Sequence, residues 1–360
     1  MTGEIVCDLC PTTGNPRNSE GAFLTLHDGE ILFVYSRFSG GGADDAAADL
    51  YAMRSCDGGR SFGRPSLLIA CRDDAAKNIM SVSLMHMLNR DIGLFYLIRK
   101  DETQMQLVLR RSRDLGHTWS PPISCMNQAG FFVVNNDRVL RLRSGRIVVP
   151  AALHRKTEED YDARSEALFY LSDDDGLHFR KATGKGVMPY TGACHSGLQE
   201  PGVVELASGV LWAWARTDLG RQYEMMSVDA GETWTCAEPS RFTSPLSPLS
   251  MKRLSGGELA AVWNPIPLYN GRSDRNDQGV WTGGRTPLVI AISRNGGRRF
   301  SEPVVIEDDP QSGYCYCAIH ETKEALLLAY CAGSTEDGGC LARTRLRRID
   351  KREMDMWREQ

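Results

Sequence analysis

Nowhere in this 360-residue chain is an apolar run long enough to span a bilayer, so no membrane partner is expected. Charge of one sign is also scarce. Lys and Arg number 42 against 46 Asp and Glu, a formal net charge of −4, which leaves no basic footprint for nucleic acid. The opening residues, MTGEIVCDLC, have neither a basic region nor an apolar core. The expectation is therefore no secretory leader and a cytoplasmic protein, a removed leader being the alternative. The 35 glycines follow no Gly-X-Y period, which excludes collagen. The 11 cysteines are an odd, scattered set, better suited to a reducing compartment than to a disulfide framework. Cys7 and Cys10 form a lone C-x-x-C with no second pair of ligands to match. No metal site is expected there, and the thiols read as small hydrophobes.

What is present is a repeat. RSCDGGRSF at 54–62 returns as Ser112-Arg113-Asp114-Leu115-Gly116-His117-Thr118-Trp119, as Ser172 to Phe179, as Ser227 to Trp234 and, with Asn295 for the aspartate, as Ser293 to Phe300. From Asp57 through Asp114, Asp174 and Asp229 to Asn295 the steps are 57, 60, 55 and 66 residues. Such a period marks a propeller or a solenoid, here with about six units. In each copy the Asp or Asn accepts backbone N–H groups, the Ser hydroxyl satisfies another, Gly supplies positive φ, and the aromatic is expected to cover the turn. Five copies cannot share one active centre, so these aspartates read as hairpin staples.

A second repeat lies within the first. A turn followed by an apolar strand recurs at 27–37, 89–100, 143–155, 207–217, 255–265 and 321–333. Each unit has about four strands and no convincing helix. Four-stranded units repeated radially are the blades of a β-propeller. The prediction is an all-β, six-bladed propeller of four-stranded antiparallel blades, occupying residues 1–360 as a single domain. The N-terminal EIVCDL supplies the missing strand of the last blade and closes the ring, and 350–360 forms a short C-terminal helix.

Strand counting then sorts the reactive residues between the two mouths. The start of the innermost strand, the end of the second and the start of the third share one face, opposite the staples. Arg17, Arg37, Asp44 with Asp45 and Asp49, Glu200, Arg216, Arg285, Tyr314 and Tyr316 all fall on that face. Asn135, Asn136, His154 and His195 lie near strand ends there, while Met80 and Trp263 read as core with an apolar wall as the alternative. Several arginines converging on one pocket suggest an anchored carboxylate, which a planar guanidinium grips with two parallel hydrogen bonds.

With its boxes and the order of its mouth residues, the sequence resembles the sialidase (neuraminidase) superfamily over nearly its whole length. The resemblance implies a six-bladed propeller glycosidase without a cofactor, acting on sialylated or ulosonic-acid-containing glycans. It implies Arg17, Arg216 and Arg285 as the carboxylate triad and Arg37 as a further substrate-binding residue. It implies Asp44 as acid/base, with Asp45 as the alternative. Glu200 would be the base that activates the nucleophile Tyr316, whose neighbour Tyr314 is the alternative. Such enzymes depart from the two-carboxylate scheme of most glycosidases. Their anomeric carbon bears a carboxylate, which repels an anionic nucleophile. The family's usual Arg-Ile-Pro is replaced here by Arg17-Asn18-Ser19-Glu20, and the Arg37–Asp44 loop is about one residue longer. Two rival readings follow: a glycosidase of the same fold specific for another 3-deoxy-2-ulosonic acid of the Kdn or Kdo type, and a non-catalytic glycan-binding propeller.

Overall fold

In the computed structural model, which describes all residues except 1, 158, 190–191, 270 and 358–360, the strands sort into six antiparallel blades. Blade I comprises Arg17–Thr25, Ile31–Phe38, Ala48–Ser55 and Ser66–Ile69. Blade II comprises Asn78–His86, Ile92–Arg99, Met105–Ser112 and Ile123–Ser124. In blade III the inner strand is broken into Phe131–Val133 and Leu140–Arg141, followed by Ile147–Lys156, Tyr161–Ser172 and Arg180–Lys181. Blade IV runs Gln199–Glu205, Leu211–Arg216, Arg221–Ser227 and Glu238–Thr243. Blade V runs Ser250–Arg253, Leu259–Trp263, Leu288–Ser293 and Val304–Glu307. Blade VI has Cys315–Glu321, Ala325–Cys331 and Thr344–Asp350 from its own segment, and Glu4–Leu9 from the other end of the chain.

Glu4–Leu9 pairs antiparallel with Thr344–Asp350, setting Asp8 opposite Arg345. Arg345 holds both oxygens of Asp8, at 2.9 and 3.0 Å. The edge of the last blade is thereby covered, as expected. The helix that follows is shorter than the sequence suggests: Lys351–Met356, capped by Asp350, whose carboxylate accepts from the Arg352 amide at 3.0 Å. Part of the expected segment, 358–360, lies outside the described residues. A single parallel bridge between Met105 and Phe131 ties blade II to blade III.

Apolar clusters sit between neighbouring blades, and the cluster of Phe23, Phe33, Tyr35, Ala318, Leu327 and Leu346 packs blade VI against blade I. The staples contribute to these seams. In the first, Ser55 Oγ donates to Asp57 at 2.8 Å and accepts from the Gly59 amide at 2.9 Å. Asp57 accepts from the amides of Arg60 and Ser61, both at 3.0 Å. The same pattern recurs at Asp114, Asp174, Asp229 and Asn295. The box aromatic covers its own turn, as Trp119 does at Gly116, and also reaches the neighbouring blade: Trp234 stacks on Phe169 of blade III at 4.0 Å, and Phe300 meets Phe242 of blade IV at 5.3 Å. In the first box glycine at the fifth position is required twice over. Gly59 has φ +82°, and a Cβ there would stand 2.6 Å from Leu327 of blade VI. Each staple is therefore also a latch onto the preceding blade.

Candidate active site

The inner strands share a defect that shapes the mouth. Register slips between Ser19 and Ala22 in blade I, Met80 and Ser83 in II, Gln199 and Gly202 in IV, and Cys315 and Ala318 in VI. Within each slip one non-glycine residue is left-handed: Glu20, Ser81, Glu200 and Tyr316, with φ of 60°, 59°, 48° and 56°. A bulge re-aims a side chain, and a left-handed non-glycine residue stores strain of about 1–3 kcal/mol that concentrates at functional sites. All four side chains line one cavity of about 280 Å³.

Tyr316 lies at the centre of its polar side. Its hydroxyl donates to Glu200 Oε1 at 3.1 Å and accepts from Arg216 Nη1 at 3.3 Å. Arg216 Nη1 also stands 3.0 Å from Glu200 Oε2, closing a triangle, and its Nε donates to Gln199 at 3.0 Å. Burial drives the Tyr316 hydroxyl well above the ordinary phenol range. Glu200 pushes it the same way, while Arg216 and Arg285 oppose. Arg285 lies over the Tyr316 ring, 5.4 Å from its centroid. It donates to Cys315 Sγ at 3.1 Å and to the Leu246 carbonyl at 3.2 Å. Asn136 braces the nucleophile candidate from blade III, donating to the Tyr316 carbonyl at 3.1 Å and the Gly21 carbonyl at 2.8 Å.

Arg17 is buried beneath Asp44, whose Oδ1 it meets at 2.5 Å. Desolvation would raise the Asp44 carboxyl, but Arg17, Arg216 and Arg285 outweigh it and hold the group below its usual value. The three arginines thus act on one carboxylate, that of the protein itself. Asp45 is exposed and makes none of these contacts, which separates it from Asp44. Tyr314, the alternative to Tyr316, is buried in the seam between blades V and VI, 6.4 Å from the Tyr330 ring. Of the four arginines expected to bind substrate, only Arg216 lines the cavity: Arg17 lies beneath Asp44, Arg285 lies over the Tyr316 ring, and Arg37 stands apart with its guanidinium 4.6 Å from the centroid of Tyr51.

Met80, Leu97, Met105, Phe131 and Val133 form the apolar part of the cavity lining. Asn135 and His154 also line the cavity. Burial holds His154 down at about 4, and its Nδ1 is 3.1 Å from the Tyr161 hydroxyl. His195 is exposed, with its amide on Asp218 at 2.8 Å, and Trp263 packs on Phe242 within the seam of blades IV and V. Strand counting missed Glu20, Ser81, Arg99, Lys156 and Tyr161, all of which line the cavity. Superimposing the inner-strand starts of the repeats would have found the first two, since each occupies the place that Glu200 and Tyr316 hold in their own blades.

A family model described as a BNR repeat-like domain matches residues 38–328. The chain belongs to this BNR-repeat family, within the sialidase superfamily. Two curated relatives are the anhydrosialidase of Macrobdella decora, 26% identical over 232 residues, and the sialidase of Bacteroides fragilis, 26% identical over 241. These matches cover 60% and 62% of this BNR-repeat chain but 28% and 39% of the relatives, so it spans well under half of their length. Among solved structures, a leech intramolecular trans-sialidase complexed with 2,7-anhydro-Neu5Ac superimposes with a TM-score of 0.71 at 16% identity. That likeness covers 97% of this chain and 70% of the leech chain, and it shows the fold.

Proposed function

We propose that this sialidase-superfamily chain is a glycosidase that removes terminal sialic acid, or a closely related ulosonic acid, from glycoconjugates with retention of configuration. The observation that carries the reading is the Tyr316–Glu200–Arg216 triangle on the cavity wall. A phenol this buried stays protonated at neutral pH, so it attacks only if its proton leaves in the same event. Glu200, at 3.1 Å, is within the reach a general base needs. Arg216 stabilises the phenolate as it forms. A neutral phenol also avoids the repulsion that a carboxylate nucleophile would meet beside the carboxylate on the anomeric carbon.

In this reading Arg216 and Arg285 hold the ligand carboxylate from two sides, joined by Arg17 once Asp44 has left it. Freed from the arginines that keep it ionised and covered by the aglycone, Asp44 takes a proton from solvent, passes it to the leaving oxygen, and afterwards deprotonates the water that releases the sugar. The apolar wall of Met80, Leu97, Met105, Phe131 and Val133 suits an acyl or alkyl substituent rather than a bare hydroxyl. A second reading changes only the last half-reaction: a hydroxyl of the bound sugar displaces Tyr316 and an anhydro sugar is released. The anhydrosialidase and the intramolecular trans-sialidase among the relatives favour it.

The test is turnover of aryl ketosides of several nonulosonic and octulosonic acids, with product analysis, for the native chain and Tyr316→Phe. Turnover of sialosides by the native chain and none by Tyr316→Phe is the expected result. Turnover of an octulosonide alone selects the rival substrate, an anhydro product selects the second reading, and binding without turnover of any ketoside returns the chain to a glycan-binding propeller.

A further inference from the structure

Arg17 serves two carboxylates before any ligand arrives. It is 1% exposed, and its donors are engaged: Nε on Ser19 at 3.0 Å, Nη1 on the Gly42 carbonyl at 3.1 Å and on Asp44 at 2.5 Å, Nη2 on Glu20 at 2.9 Å. A ligand carboxylate would be the third anion around one guanidinium. The two protein carboxylates differ in what they can do about it. Asp44 is 71% exposed and follows Gly40-Gly41-Gly42, so it can swing away. Glu20 is 5% exposed, sits on left-handed backbone inside a bulge, and accepts a hydrogen bond from Ser81 on its other oxygen. Both of its oxygens are committed, to Arg17 and to Ser81, and its backbone is fixed within the sheet. A buried carboxylate that faces a like charge and cannot move is relieved only by a proton.

We propose that Glu20 is a positioning residue that takes up a proton from solvent as a carboxylated ligand reaches Arg17, so that capture of the anion is proton-linked. The inference rests on the function proposed above for the ligand's carboxylate and for the choice of first probe. The groups acting on Glu20 come from every element around it: Arg17 on its own strand, Asp44 on the loop that follows Phe38, Ser81 from blade II, Glu200 from blade IV and Cys331 from blade VI. Burial already lifts its carboxyl to about 7, with Arg17 opposing and Asp44 and Glu200 adding. A ligand carboxylate that takes the place of Asp44 at Arg17 also shuts water out of the cavity that Glu20 lines, and that loss of solvation raises it again. Uptake is therefore confined to pH above neutrality, since below it the proton is already present.

The test is calorimetric titration with 2-deoxy-2,3-dehydro-N-acetylneuraminic acid in buffers of different ionisation enthalpy, at about pH 8 and about pH 5.5. Close to one proton per ligand is expected at the higher pH and almost none at the lower, with affinity falling by up to about tenfold per pH unit above neutrality. Glu20→Gln, which keeps the shape and removes the proton site, abolishes the uptake and flattens the affinity profile, whereas Glu20→Asp restores the dependence. Ser81→Ala removes a hydrogen bond that favours the ionised form and moves the window to higher pH. Tight binding without proton uptake, or uptake unchanged in Glu20→Gln, overturns the inference and leaves the proposed function standing. Proton-linked binding of a dehydro-octulosonic acid alone overturns the sialoside reading and keeps the inference, while absence of binding by any carboxylated sugar overturns both.

Discussion

An isolated phenol is a poor nucleophile at neutral pH, and burial makes Tyr316 poorer still. Attack by Tyr316 therefore depends on Glu200 as its base. Glu200→Gln keeps the size of the side chain and loses the base, and it is expected to lower kcat/KM by about 10²–10⁴-fold while inhibitor binding is retained. Steady-state kinetics beside inhibitor titration checks this, and a loss confined to binding would contradict it. Two histidines, His154 buried and His320 half-buried, give a separate, pH-dependent prediction for stability. Burial holds His154 at about 4 and His320 at about 3, both below the ordinary value. Between about pH 6.5 and those values the unfolded chain binds protons that the folded chain refuses, so each histidine makes stability fall as pH falls through that window. His320→Gln is expected to remove up to one proton's worth of slope, about 1.4 kcal/mol per pH unit. Denaturant unfolding at several pH values measures it.

The strands and staples were legible because they follow from side-chain pattern: apolar runs bounded by turns, and Ser-x-Asp-x-Gly turns that satisfy their own backbone. Order along the chain placed Arg17, Asp44, Glu200, Arg216, Arg285 and Tyr316 at one mouth. The bulges were not legible, since a left-handed glutamate or tyrosine leaves no mark on hydrophobic periodicity. Glu20 was consequently passed over, although it lies three residues from Arg17 and completes the same pocket. The coupling of Asp44 to Arg17 and the placing of Arg37 over Tyr51 depend on loop paths that strand counting does not carry. The staples also hold more than their own hairpins. Gly59→Ala must force a left-handed alanine against Leu327 and is expected to cost about 1–3 kcal/mol, seen as a lowered Tm with the cavity chemistry unchanged. Stability equal to the native chain would confine the box to its turn.

Over the whole molecule the site belongs to no blade. Tyr316 comes from VI, Glu200 and Arg216 from IV, Arg17 from I, Arg285 from V, and the apolar wall from II and III. Such a constellation holds its distances only while the blades stay seated on one another. Removing residues 2–9 would expose the edge of Thr344–Asp350 and leave Arg345 without Asp8. The expected outcome is a lower Tm, loss of turnover and a tendency to associate through the bared edge, measured by thermal unfolding and light scattering. Full activity in that truncated chain would show that blade VI holds Tyr316 in place without the N-terminal strand.

The most direct measurement is to trap the covalent intermediate. Incubation with a 3-fluoro-sialosyl fluoride, followed by intact-mass and peptide analysis, should place one sugar on the hydroxyl of Tyr316, with none on Tyr316→Phe. A sugar attached to Asp44, Glu200 or Tyr314, or sustained turnover with no adduct at any time, would contradict the account.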